Sequence, residues 1–173
     1  MSLDLSVPLN GKIDFNSLLI STKAVLLDLL AQKSLPKINV SKLSQGKIEP
    51  VSLESFGEDG DCYLVALDGF EDAVELVFID LDKLECCDDE LSGFEVGISV
   101  GVNKSPIEFA LAAGLAISIS KTQNTHIIDE GNIWTNQHKI SSNDFELKLR
   151  LNTCEEDLLQ AVKCFHNRLN HIT

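Results

Sequence analysis

Basic residues are scarce in this chain: 14 lysines and arginines stand against 27 aspartates and glutamates, and the formal net charge is −13. The few cations never cluster, so there is no patch to neutralise phosphates, and nucleic-acid binding is excluded as a function class. Long apolar runs are missing too. No window approaches the roughly 18 uninterrupted apolar residues of a membrane span, and the opening Met1 to Ser6 has no positive stretch leading into an apolar one. A cytoplasmic chain that does not engage membranes is the expectation.

Cysteine chemistry is poorly provided for. The five cysteines, at 62, 86, 87, 154 and 164, contain no C-x-x-C spacing. Cys86 and Cys87 are adjacent, as in a vicinal redox or soft-metal pair, but Glu85, Asp88, Asp89 and Glu90 surround them, and the positive neighbour that lowers a thiol pKa is lacking. The signatures of catalysis are equally absent: no G-x-S-x-G elbow, no phosphate-binding glycine loop, no G-x-G-x-x-G and no H-E-x-x-H. Gly57-Glu-Asp-Gly-Asp61 is glycine-rich, but its acids would repel phosphate, so it reads as a turn. Asp80, Asp82 and Glu85 lack the third ligand and the glycine of an EF-hand. His126 and Asp129 fall on opposite faces of a strand, which argues against a relay and for Asp129 as a turn former. No catalytic residue, cofactor site or metal site is therefore expected.

What is present is an ordinary globular composition. With 173 residues, 44% hydrophobic and 24% charged, the chain is long enough to bury a core in one domain spanning 1–173. Leu3 to Leu9 alternates loosely as a strand, with Pro8 suggesting a sheet edge, and the helical spacing of Phe15, Leu18, Leu19, Thr22, Val25, Leu26, Leu29 and Leu30 predicts a helix over about 16–33. A short strand at Ile38 and Val40 leads into a mobile-looking stretch over 44–50. Two runs, 62–67 and 73–81, separated by Asp68-Gly69, read as a hairpin, and a third, 94–102, alternates Phe94, Val96, Ile98, Val100 and Val102 against Glu95, Gly97, Ser99 and Gly101. The bare glycine face of that strand is the expected seat for a helix.

Ser105-Pro106-Ile107-Glu108 is a capping box with proline at the first helical position, opening an apolar, alanine-rich helix. A short strand at 126–129, which Ile133 and Trp134 extend, follows. Phe145, Leu147, Leu149 and Leu151 alternate at period two, so a half-wet strand is expected there. Thr153 and Glu156 form a second capping box before a final helix with the stripe Leu158, Val162, Phe165, Leu169. Strands come in a block between helices, so the fold class is α+β: a mostly antiparallel sheet with helices packed on one face, a two-layer sandwich.

Charge is distributed unevenly. Residues 1–53 sum to +2, residues 54–95 to −14 and residues 96–173 to −1. One-sided charge costs stability through self-repulsion, a cost easier to understand if a basic ligand is recognised. Loop acids on a rigid scaffold are the candidates for that recognition: Glu58, Asp59, Asp61, Asp68, Glu71, Asp72, Asp88, Asp89 and Glu90, with Phe70 among them as an apolar anchor and Phe56, Tyr63 and Trp134 as further aromatic anchors.

The stretch Ser105 to Trp134, a capped alanine-rich helix followed by Ile127-Ile128-Asp129 and a tryptophan, resembles a segment of small bacterial α+β proteins that include immunity proteins of polymorphic-toxin systems. The resemblance covers about thirty residues and carries no functional motif. It implies a cytoplasmic, acidic, non-catalytic inhibitor that covers the active site of a basic toxin. The expected function is thus a binding protein for a basic partner. The alternatives are a small carboxylate-based hydrolase, which should hold acids of raised pKa in a cleft, and an adaptor or oligomer component, which should expose an apolar patch.

Overall fold

The computed structural model describes residues 4–52, 57–83, 93–101, 105–132, 134–153 and 155–172. Its elements run β1 (Asp4–Leu9), α1 (Phe15–Leu29), β2 (Ile38–Ser44), β3 (Lys47–Pro50), β4 (Cys62–Leu67), β5 (Ala73–Asp80), a 3-10 turn (Leu81–Lys83), β6 (Phe94–Ser99), α2 (Pro106–Gln123), β7 (His126–Asp129), β8 (Lys139–Ser141), α3 (Ser142–Leu149) and α4 (Leu158–Ile172). The eight strands form one antiparallel sheet in the order β3-β2-β4-β5-β6-β1-β7-β8. The fold is α+β.

Alternation decides which face of the sheet is covered. Val65 and Leu67 on β4, Val74, Leu76 and Phe78 on β5, Val96 and Ile98 on β6, and Leu5 and Val7 on β1 are fully buried, and the registers place them on one face. Their neighbours in sequence, such as Leu64, Val77 and Gly97, are only partly covered. On the buried face lies α2, enclosed by the sheet, α1, α3 and α4, which is why residues 107–120 are buried all round. Ser105 caps this helix as its sequence requires, accepting from the Glu108 amide while the Glu108 carboxylate takes the Ser105 amide at 2.7 Å. Gly114 sets the approach of α1: a Cβ there would lie 2.8 Å from Leu26 Cγ.

Several expectations are corrected. The helix seat is the branched apolar face of β6, because burying Val96 and Ile98 removes far more apolar surface from water than burying Gly97 could. Pro8 sits in an inner strand, between β6 and β7. Its carbonyl accepts from the Thr125 hydroxyl at 3.0 Å, past the Leu5 and Ser6 positions that pair with β7, so the missing N–H falls where the ladder has already stopped. The stretch over 44–50 is the β2–β3 hairpin, closed on Gln45 and Gly46 at φ 49° and 75°, the left-handed pair of a tight turn. The strand at 126–129 ends at Asp129 and pairs with β8, which periodicity did not reveal.

Residues 145–149 are helical. Ser141 caps α3 by accepting from the Asp144 amide at 3.1 Å, and Phe145 and Leu149, one helical turn apart, are buried while Leu147 is 66% exposed. The period-two pattern counted Leu147 as a core residue, which it is not. The final helix begins at Leu158 with Asp157, accepting from the Gln160 amide at 2.8 Å, in place of the Thr153–Glu156 box. Its stripe holds: Val162, Phe165 and Leu169 are buried.

Candidate functional site

The β4–β5 hairpin carries the acids singled out by charge, and its two ends differ. Glu58, Asp59 and Asp61 lie beside the start of β4, together with Asp80 and Asp82 from the end of β5. Most of these carboxylates are occupied in shaping the loop. Asp59 accepts from the Asp80 amide at 2.9 Å and from Lys83 at 3.0 Å, and these bonds hold its carboxyl below the usual range. Lys83 also pairs with Asp80 at 3.2 Å. Burial works to raise the Asp61 carboxyl, but an ion pair with Lys42 and the Tyr63 hydroxyl donating at 2.8 Å outweigh it and leave the carboxyl lowered. Asp82 accepts from the Gly93 amide at 3.0 Å.

The other end is different in kind. Asp68, Glu71 and Asp72 flank the turn, where Gly69 takes φ 82°, and Phe70 packs partly against the core. Phe70 lines an open groove of about 730 Å³ with Leu35, Pro36, Leu158 and Leu159, and Glu156 and Asp157 stand on its rim. Leu159 is 56% exposed. Among the described residues, no ion pair involves Asp68, Glu71, Asp72, Glu156 or Asp157. Glu156 and Asp157 thus border the apolar surface of the groove, while Asp68, Glu71 and Asp72 flank Phe70 in sequence.

The two ends therefore separate the expected residues. Glu58, Asp59 and Asp61 are at one end of the hairpin and Asp68, Phe70, Glu71 and Asp72 at the other, so they do not form one continuous field. Asp88, Asp89 and Glu90, with Cys86, Cys87 and Phe56, lie outside the described residues. Two proposed anchors are core residues. Tyr63 is 2% exposed between Phe15 and Phe78, and Trp134 is 1% exposed between Phe109 and Phe145. Sequence reasoning missed Glu156 and Asp157 as partners of Phe70. The available signal was an acid run, Glu155-Glu156-Asp157, directly before Leu158-Leu159.

No protein family, curated protein or solved structure matches the chain. Geometry accounts for two of the remaining polar features. Asp129 is fully buried and closes the loop after β7 by accepting from the Trp134 and Thr135 amides at 2.8 and 2.9 Å. The turn role expected of it is correct, and it lies on the opposite face of β7 from His126, with Leu5 as its register partner. Cys62 donates to Glu75 at 2.9 Å, and burial followed by that carboxylate pushes its thiol up to about 12, away from the thiolate form that reacts. Among the described residues, no group of three or more His, Cys, Asp or Glu is placed to hold a metal ion, and no helix is long and apolar enough to cross a membrane.

A carboxylate pair stands apart from the hairpin acids. Glu95 on β6 and Glu130 after β7 both approach the Ser6 hydroxyl, at 3.3 and 3.1 Å. Burial, then the Glu130 charge, raises the Glu95 carboxyl above its ordinary range. Neither carboxylate lines the Phe70 groove.

Proposed function

We propose that this chain is a non-catalytic binding protein of the cytoplasm that captures a basic protein, as an immunity protein captures its toxin, and that the groove around Phe70 is its recognition site. The observation that supports this reading is the contrast between the two ends of the hairpin: most carboxylates near β4's start are ion-paired or used as loop caps, whereas around Phe70 only Asp157 serves as a cap and, among the described residues, none is ion-paired, beside exposed Leu159. Unneutralised charge next to apolar surface suits a partner that brings both the opposite charge and a desolvating contact.

Coexpression with candidate basic toxic domains, scored for rescued growth, tests the function. The site is tested on a rescued pair by measuring Kd for Phe70→Ala and for the Glu71→Lys, Asp72→Lys double variant. Each is expected to weaken binding by at least about tenfold, equivalent to roughly 1.4 kcal/mol. Affinity should also fall as salt screens exposed charges over about 8 Å at physiological ionic strength. Rescue that is indifferent to both variants would place recognition elsewhere on the molecule.

The second reading, a carboxylate-based hydrolase, has one observation in its favour, the Glu95–Glu130 pair with its raised carboxyl. An acid of raised pKa beside a second carboxylate is the arrangement glycoside hydrolysis uses. Loss of any measured glycosidase activity in Glu95→Gln would support it, and the same activity in wild type and Glu130→Gln would remove it.

A further inference from the structure

Helices α1, α2 and α3 pack against the sheet on the face that carries the core, α4 packs on α2 and α3, and no described element is seen on the other face. The strand registers align a row across that open face, from Leu43 through Cys62, Val77, Gly97 and Ser6 to Ile128. The row is apolar at its flanks and nearly without side chain in its middle. A Cβ on Gly97 would find nothing nearer than 3.8 Å, so the strand centre is a shallow notch with Ser6 as its floor. Glu95 and Glu130 wall this notch through their shared approach to the Ser6 hydroxyl. From β3 to β6 the registers put no lysine or arginine on this face, whose charged residues there are Glu75 and Glu95; on the far side, Lys139 of β8 stands beside Ile128.

From this placement we infer that the open sheet face is a second docking surface, which seats a partner protein through an arginine or lysine between Glu95 and Glu130 and through apolar side chains over Val77 and Ile128. The inference goes beyond the Phe70 groove and does not depend on it. Chemistry selects the cation: a hydroxyl has one proton, so Ser6 satisfies one carboxylate at a time, and the other has no described donor. A guanidinium, with five donors in a planar fork, completes both. Area is adequate as well. Eight strands at about 4.8 Å spacing and roughly six residues of about 3.3 Å each give a face of roughly 700 Å², close to the ~800 Å² that each partner contributes to a standard interface. A second copy of this chain is disfavoured, because each copy carries a net charge of −13.

The test uses the full chain, isotope-labelled, with three synthetic peptides: an amphipathic leucine–arginine helix, its leucine–glutamate counterpart and an arginine-only peptide. Amide shifts from the leucine–arginine peptide should concentrate on Val77, Gly97 and Ile128, with little response to the other two. Glu95→Gln combined with Glu130→Gln, which removes charge while keeping shape, should weaken that binding at least about tenfold, and Val77→Arg should do the same by occupying the notch from within. Circular dichroism melting of both variants separates lost binding from lost fold. Shifts confined to the Phe70 groove overturn this inference and leave the proposed function standing, whereas no response to any cationic peptide counts against both. Equal response to the leucine–glutamate peptide removes the charge argument, and a concentration-dependent dimer with shifts on this face in the absence of peptide identifies the occupant as a second copy and overturns it.

Discussion

Replacing Asp129 by alanine should destabilise the fold by about 3–5 kcal/mol, although its side chain lies on the core face of the sheet, away from both proposed surfaces. Its carboxylate is fully buried and accepts two amides, from Trp134 and Thr135, within 2.9 Å. Alanine leaves both amides buried without an acceptor, at roughly 1–3 kcal/mol each, with hydrogen bonds to a charged group at the upper end. Thr135 adds little, since its hydroxyl already lies 3.2 Å from the Gln137 carbonyl and only 3.4 Å from Asp129. At about 2–4 °C per kcal/mol for a domain of this size, the melting temperature should fall by roughly 6–20 °C. Asp129→Asn keeps one carbonyl acceptor and loses the charge, so about half the effect is expected. Urea unfolding followed by tryptophan fluorescence is the assay, because Trp134 is the chain's one tryptophan and sits inside the loop that Asp129 closes. A loss below about 1 kcal/mol in the alanine variant would refute the reasoning, since two orphaned amides cannot cost so little in a dry site.

Three other outcomes are expected. Gly114→Ala should lose about 1–2 kcal/mol in urea unfolding, because a Cβ 2.8 Å from Leu26 Cγ costs more than the roughly 1 kcal/mol of helix propensity it gains, and Gly114→Val should lose more. Phe145→Ala should lose about 3–5 kcal/mol while Leu147→Glu stays within about 0.5 kcal/mol, a contrast that a strand with both residues inward would not give. Glu95→Gln should stabilise the protein at neutral pH. The folded state raises this carboxyl above its ordinary 4.5, so it holds the proton more tightly than the unfolded chain does, and stability is lost as pH climbs from 4.5 through the raised value. Thermal melts of wild type and variant should therefore converge toward pH 4 and separate toward pH 7; parallel curves would rule the effect out.

Local signals in the sequence gave the elements whose ends are written in side chains. Ser105 and Glu108 announce α2 because capping is satisfied within four residues, and the Asp68-Gly69 step announces the hairpin for the same reason. What failed was the inference of burial from hydrophobicity alone. Leu147 is a leucine in water, and counting it inward turned one helical turn into a strand. The sheet order was not legible either, since β1 pairs with β6 and β7 at separations no local pattern encodes. The groove and the Glu95–Glu130 pair share that limit. Phe70 shares a groove with Leu158, and Ser6 meets Glu130 across 124 positions, so charge counts along the chain indicated acidity without indicating where carboxylates go unanswered.

The first strand in the chain occupies an interior slot of the sheet, between segments synthesised far later. Until β6 and β7 emerge, residues 4–9 have no ladder to join, so assembly waits on distant contacts and should be slow for a protein of this length. A chain deprived of that strand would present a gap lined on both sides by unsatisfied amides and carbonyls. A short peptide of the same sequence, added from outside, would then be the natural tool for restoring it.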